Sequence, residues 1–270
     1  MDSNQLKQLT EQVKTVAREA GKYIRQQALT FTADRIEAKG AHDYVSYVDK
    51  AAERLIVDHL EPLLPGAGFL TEEKTTANDT THPYTWVIDP LDGTTNFVHG
   101  LAPYCVAIAL RSQHDTLIGV VYEVTADELF WTHLGGKAYR DDVEISVSST
   151  GRLTDALCCF GFPYNADEWS PVMQRLVARY YGRCASIRNL GSAAAELCYV
   201  ACGRLDVYIE SYLKPWDVLA GALILRQAGG IVTDHQGTSR WTDGSELLAT
   251  NGLLHQETTD TLRNLNTNNL

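Results

Sequence analysis

Apolar residues recur at three- and four-residue steps through Leu6, Leu9, Val13, Val16, Ala20 and Ile24, which predicts a long amphipathic first helix. A second helix is predicted from about Asp49 to Leu60, with Ala52, Leu55, Ile56 and His59 on one side. Pro62 and Pro65-Gly66 end it. The period then changes. Tyr84–Ile88 is a short apolar strand running straight into Asp89-Pro90, and further strands are predicted at Val106–Leu110, Leu117–Glu123 and Glu128–Thr132. Gly135-Gly136 and Asp141-Asp142 mark turns. Beyond them the rhythm alternates. Strands are expected at Leu157–Phe162, Ala185–Arg188, Leu205–Glu210, Ile231–Thr233 and Leu247–Thr250. Helices are expected near Pro171–Tyr181, at Ser192–Cys202 and at Trp216–Ala228, the last closed by Gly229-Gly230.

A helix-then-meander half followed by an alternating half predicts stacked layers of helix and sheet, an α+β fold. The boundary is expected between Arg140 and Leu153, giving an N-terminal α+β half over 1–145 and a C-terminal α/β half over 146–270. With no Gly/Ser linker between them, the two are expected to pack as one unit. At 270 residues the chain can bury its own core without a metal or disulfide. Its 23 basic against 34 acidic residues, a net charge of −11, argue against gripping nucleic acid or an anionic membrane by the general field. No apolar run approaches the roughly 20 residues of a spanning helix. The first residues lack the basic-then-apolar pattern of a secretory leader, so a cytoplasmic location is expected, with the six cysteines reduced. Cys198 and Cys202 are four apart on a predicted helix; no third or fourth ligand stands near, so buried thiols are expected in place of zinc.

The chemistry concentrates in Trp86-Val87-Ile88-Asp89-Pro90-Leu91-Asp92-Gly93-Thr94-Thr95-Asn96-Phe97. A buried strand is expected to deliver Asp89 and Asp92 onto a turn tightened by Pro90 and Gly93. Hard oxygens on a rigid turn suit Mg²⁺, with the Leu91 carbonyl as a further donor. Gly93, Thr94 and Thr95 add backbone N–H groups and hydroxyls of the kind that cradle phosphate. Other acids are ambiguous alone. Glu72-Glu73 would pass for a solvated loop, Asp49 and Asp217 for helix-cap or first-turn residues, and Glu210 for a strand-end charge.

Taken together, the Asp89–Phe97 run, the Lys39–Asp49 segment, Glu72-Glu73 and the stretch from Trp216-Asp217 to Ala228-Gly229-Gly230 resemble the inositol monophosphatase family of magnesium-dependent, lithium-sensitive phosphatases. The resemblance covers nearly the whole chain, and it implies a layered α-β-α-β-α sandwich of the sugar-phosphatase type. It implies two or three Mg²⁺ per site, with Glu72, Asp89 and the Leu91 carbonyl holding one and Asp89, Asp92 and Asp217 another. It gives Glu72, Thr94 and Asp49 the activation of water. Asp92, Gly93, Thr94, Gly191, Ser192, Ala193, Glu210 and Asp217 would meet the substrate. The implied reaction is hydrolysis of a small phosphorylated polyol, foremost myo-inositol monophosphate, by a homodimer with no nucleic-acid or membrane partner. Fructose-1,6-bisphosphate, adenosine bisphosphate and histidinol phosphate are the alternatives within the superfamily, and a regulatory protein sensing sugar phosphate and Mg²⁺ is the alternative outside enzymes. Five positions depart from the family pattern: Ser46, Thr71, Gln227 and the pair Lys214-Pro215. The last borders the substrate and bears on ring specificity.

Overall fold

The computed structural model describes residues 1–31, 36–40, 43–163 and 166–267. Helix α1 covers Ser3–Ala28 and opens with a capping box, in which Asp2 and Gln5 each accept from the other's backbone N–H. Its buried residues include the six that the apolar spacing picks out. Strands β1 (Ile36–Gly40) and β2 (Asp43–Ser46) form an antiparallel pair that the apolar pattern did not reveal. Ala41 and His42 lie outside the described residues. Helix α2 spans Tyr47–Leu60, so Asp49 sits inside its first turn and is not its cap. The buried stripe is Val48, Asp49, Ala52, Glu53, Ile56, Val57 and Leu60. His59, expected on that side, is exposed. Two acids occupy the stripe because each finds hydrogen-bond donors inside.

Seven strands then make the first sheet: β3 (Gly68–Thr71), β4 (Tyr84–Asp92), β5 (Cys105–Ser112), β6 (Thr116–Glu123), β7 (Glu128–His133), β8 (Tyr139–Arg140) and β9 (Val143–Glu144), in chain order. β3 and β4 are parallel and the rest antiparallel. Its faces differ in side-chain size. Trp86, Ile88, Ile108, Leu110, Val120 and Tyr122 point to α1 and α2, while Cys105, Ala107 and Ala109 face the other way. This period-two alternation leaves a shallow face onto which helices can close.

Helices α5 (Ala193–Ala201) and α6 (Pro215–Gln227) close onto it and form the middle layer. The second sheet lies beyond them, in the order β11 (Ser186–Arg188), β10 (Leu157–Phe160), β12 (Val207–Ser211), β14 (Glu246–Thr250) and β13 (Ile231–Thr233). Helices α4 (Ala166–Tyr180) and α7 (His255–Thr267) cover its outer face over Cys158, Phe160, Val207, Ile209 and Leu248. The α-β-α-β-α layering is therefore present. Helix α4 starts ahead of Pro171, the residue expected to open it. Helix α7 carried no strong apolar period: two of its buried residues are Thr258 and Thr259, beside Leu262.

Candidate active site

Residues three apart on a regular strand point to opposite faces. Asp89 pairs with Ala107 and Asp92 with Cys105, so three steps on β4 match two on β5. This bulge at Pro90-Leu91 brings both carboxylates to the face that looks onto α5 and α6. The strand thus runs through Asp92, where a turn after Ile88 had been expected. Gly93 follows at φ +88°, with the Pro103 carbonyl oxygen 3.0 Å from where a Cβ would stand. Both conditions demand glycine. The short helix α3 (Thr94–His99) begins directly after it.

The bulge opens onto a cavity of about 490 Å³. Glu72, Asp89, Leu91, Asp92, Gly93, Thr94, Gly191, Ser192, Ala193, Glu210 and Asp217 all line it. Asp49 is buried behind Thr94, whose hydroxyl donates toward the Asp49 Oδ1 at 3.1 Å and the Leu91 carbonyl at 3.0 Å. Every site residue picked from the sequence is thus in the cavity wall or one hydrogen bond behind it. Asp89 Oδ1 accepts from the Leu91 N–H at 2.9 Å. Asp92 Oδ2 accepts from the Ser192 hydroxyl at 2.6 Å and the Ala194 N–H at 2.7 Å. Asp217 Oδ2 accepts from the Lys214 N–H at 2.7 Å, so it caps α6 as well as lining the cavity. Glu210 is bonded by the Tyr208 hydroxyl. Gly161 leaves room for that carboxylate, since a Cβ there would overlap it.

The acids strain against one another. Burial, then the charges of Glu72, Asp92 and Asp217, push the Asp89 carboxyl well above its usual range. Burial and the Asp92 and Glu72 charges do the same to Asp217. Asp92 is pushed up by burial to about 6, held from going further by the Ser192 hydroxyl and the Ala194 N–H. Such a set is unfavourable as bare anions and becomes favourable around a dication with hard-oxygen preference. In donor chemistry the residues fit Mg²⁺. Among the described residues, no group of three or more His, Cys, Asp or Glu is gathered closely enough to hold a metal ion as it stands.

Three supports escaped the sequence reading. Glu53 accepts from the Glu73 N–H and from the Thr75 N–H and hydroxyl, each at 2.7 Å, and so carries the loop after Glu72. Glu196 is buried in the first turn of α5. Asn96 Nδ2 donates to the Pro103 and Leu190 carbonyls at 2.8 and 2.7 Å, tying α3 to the opposite wall. Glu196 did leave a signal, a single acid among the apolar residues of α5, and Glu53 another, an acid beside Asp49 on the apolar face of α2. Trp216 packs against the middle core and lines the cavity, whose wall also includes Lys74, Phe162, Tyr212 and Lys214. Trp86 is buried in the core under α1 and α2, with Trp131 packed against that core.

Residues 5–267 match the model of the inositol monophosphatase family. The chain is 39% identical over 221 residues to the Nus factor SuhB of Escherichia coli strain K12, covering 82% of this chain and 83% of that one. It is 37% identical over 226 residues to the inositol-1-monophosphatase of Mesorhizobium japonicum, covering 82% and 84%. The structure of inositol monophosphatase from Anabaena (Nostoc) sp. PCC 7120 superposes with a TM-score of 0.85 at 32% identity, covering 96% of each chain.

Proposed function

The chain belongs to the inositol monophosphatase family, and from that premise we propose that it is a Mg²⁺-dependent phosphatase hydrolysing a small polyol phosphate monoester, with myo-inositol monophosphate as the first substrate to test. The observation that carries this reading is the bulge in β4, which sets Asp89 and Asp92 on one face, in one cavity with Glu72, Asp217 and Thr94, the last bonded to Asp49 behind it. The name of the Mesorhizobium relative supports the choice of substrate.

Glu72, Asp89 and the Leu91 carbonyl would hold one Mg²⁺, and Asp89, Asp92 and Asp217 a second. When bound, the ions supply positive charge that neutralises the phosphoryl oxygens and makes water a stronger acid. The chain's own groups do the rest. Thr94 commits its proton to Asp49 or to the Leu91 carbonyl, which leaves its oxygen lone pairs to orient the attacking water. Glu72 takes the proton that the water loses. Gly93 and the first N–H groups of α3 face the phosphate. Glu210, Asp92 and the Gly191–Ala193 wall meet the polyol hydroxyls, where charged acceptors give strong, directional hydrogen bonds.

The test is release of inorganic phosphate from inositol 1-phosphate, fructose-1,6-bisphosphate, adenosine 3′,5′-bisphosphate and histidinol phosphate, with Mg²⁺, with chelator and with Li⁺. Mg²⁺-dependent release favouring inositol 1-phosphate and suppressed by Li⁺ is expected, and Asp89→Asn should abolish it in a folded chain. A fully active Asp89→Asn variant would falsify the mechanism. Preference for another member of the panel moves the substrate and keeps the site.

A second reading starts from the E. coli relative, which is named a Nus factor. In it, the site senses a sugar phosphate and Mg²⁺ for a regulatory protein. The net charge of −11 directs such a role to protein partners rather than nucleic acid. Calorimetric binding of inositol 1-phosphate without any phosphate release would favour it.

A further inference from the structure

Glu196 is 1% exposed and sits among Ala193, Ala194, Ala195 and Leu197. Its Oε1 accepts from the Leu190 N–H at 2.8 Å, the Gly191 N–H at 3.2 Å and the Cys159 thiol at 3.2 Å. Its Oε2 is buried with no hydrogen-bond partner. Tyr208 and Glu210 lie close enough to feel its charge.

The first-turn dipole favours an acid at this place in α5. It does not account for burial. A carboxylate removed from water lowers stability unless it is well bonded, and a solvent-facing acid would avoid that cost. What Glu196 holds explains the position. Gly191, Ser192 and Ala193 line the cavity where the proposed polyol would lie, and the front edge of this segment is fixed by Asn96 on the Leu190 carbonyl and by Asp92 on Ser192 and Ala194. From behind, Glu196 takes the Leu190 and Gly191 N–H groups, with the Cys159 sulfur also against the Leu190 N–H.

We propose that Glu196 is a positioning residue, holding the Leu190–Gly191 backbone so that the Gly191–Ala193 wall meets the leaving polyol. The proposal rests on the phosphatase reading of the same cavity. The direct effect of Glu196 is on recognition of the polyol; the wall reaches the phosphate end only through the bonds of Ser192 and Ala194 to Asp92.

The experiment compares wild type with Glu196→Met, which fills the volume without an acceptor, and with Glu196→Gln, which restores one. In the Met variant KM for inositol 1-phosphate should rise about tenfold, the loss expected for one charge-assisted hydrogen-bonding centre, with kcat changed much less. Inhibition by inorganic phosphate, which lacks the polyol, should stay at the wild-type value. Amide hydrogen exchange at Leu190 and Gly191 should speed up. The Gln variant should bring KM and exchange back. A folded Met variant with wild-type KM overturns the proposal. So does a Met variant that cannot fold, which would make the carboxylate purely structural. Wild-type protein that releases no phosphate sinks the phosphatase reading, and amide exchange would still decide whether Glu196 holds the wall.

Discussion

Asp234 and Asp89 are both buried aspartates, and their surroundings drive them in opposite directions. Burial alone would raise Asp234, but the Thr238 hydroxyl and the Thr238 and Gln236 N–H groups, the latter two at 2.7 and 2.9 Å, hold it below its ordinary 3.8. Asp89 has one N–H and a ring of acids, so it rises. The linkage sign for Asp234 follows from its lowered value. Its stabilisation is complete above about pH 3.8 and disappears as pH falls through the still lower folded value. Asp234→Asn should therefore cost about 1–2 kcal/mol in urea unfolding at pH 7, and the gap should narrow towards pH 3. A gap of equal size at both ends would show that charge is not what the turn uses.

At the level of elements, α2 reaches the site twice, through Asp49 to Thr94 and through Glu53 to the loop after β3. Glu53→Ala strands the half-buried Glu73 and Thr75 N–H groups, at a cost of about 2 kcal/mol in unfolding free energy. The same loop carries Glu72, so the Mg²⁺ concentration for half-maximal activity should rise as well. Unchanged Mg²⁺ dependence in a destabilised variant would separate the loop's stability from its ligand role. The long, strongly periodic elements α1, β5, β6 and β7 were legible because burial on one side imposes a repeat on the residues. Helix α7 was not, because threonines fill much of its inner face, and β1–β2 was not, because a lone hairpin leaves little apolar signal.

On the scale of the molecule, the acids come from separate layers: Asp89 and Asp92 from the first sheet, Asp217 from the middle helices. Their mutual repulsion opposes closure of these layers in the absence of a cation. Mg²⁺ should raise the melting temperature, by several degrees at about a hundred times its dissociation constant, and a chelator should reverse the rise. Asp89→Asn should blunt the response. A melting temperature indifferent to Mg²⁺ would count against a dication site, whatever the assays of turnover show.

The identity of the chemistry belonged to the sequence. Asp89, Asp92 and Thr94 could be picked out in one dimension because a run such as Asp-Pro-x-Asp-Gly-Thr is local, and local patterns survive in a string of letters, whereas Glu72 and Asp217, ambiguous alone, came only with the family resemblance. Their shared orientation did not. Three-residue spacing on a strand predicts opposite faces, and only the pairing of β4 with β5 reveals the bulge that cancels this. The supports Glu53, Asn96 and Glu196 were equally hidden, for their meaning lies in backbone groups distant in the chain that packing brings within hydrogen-bond reach.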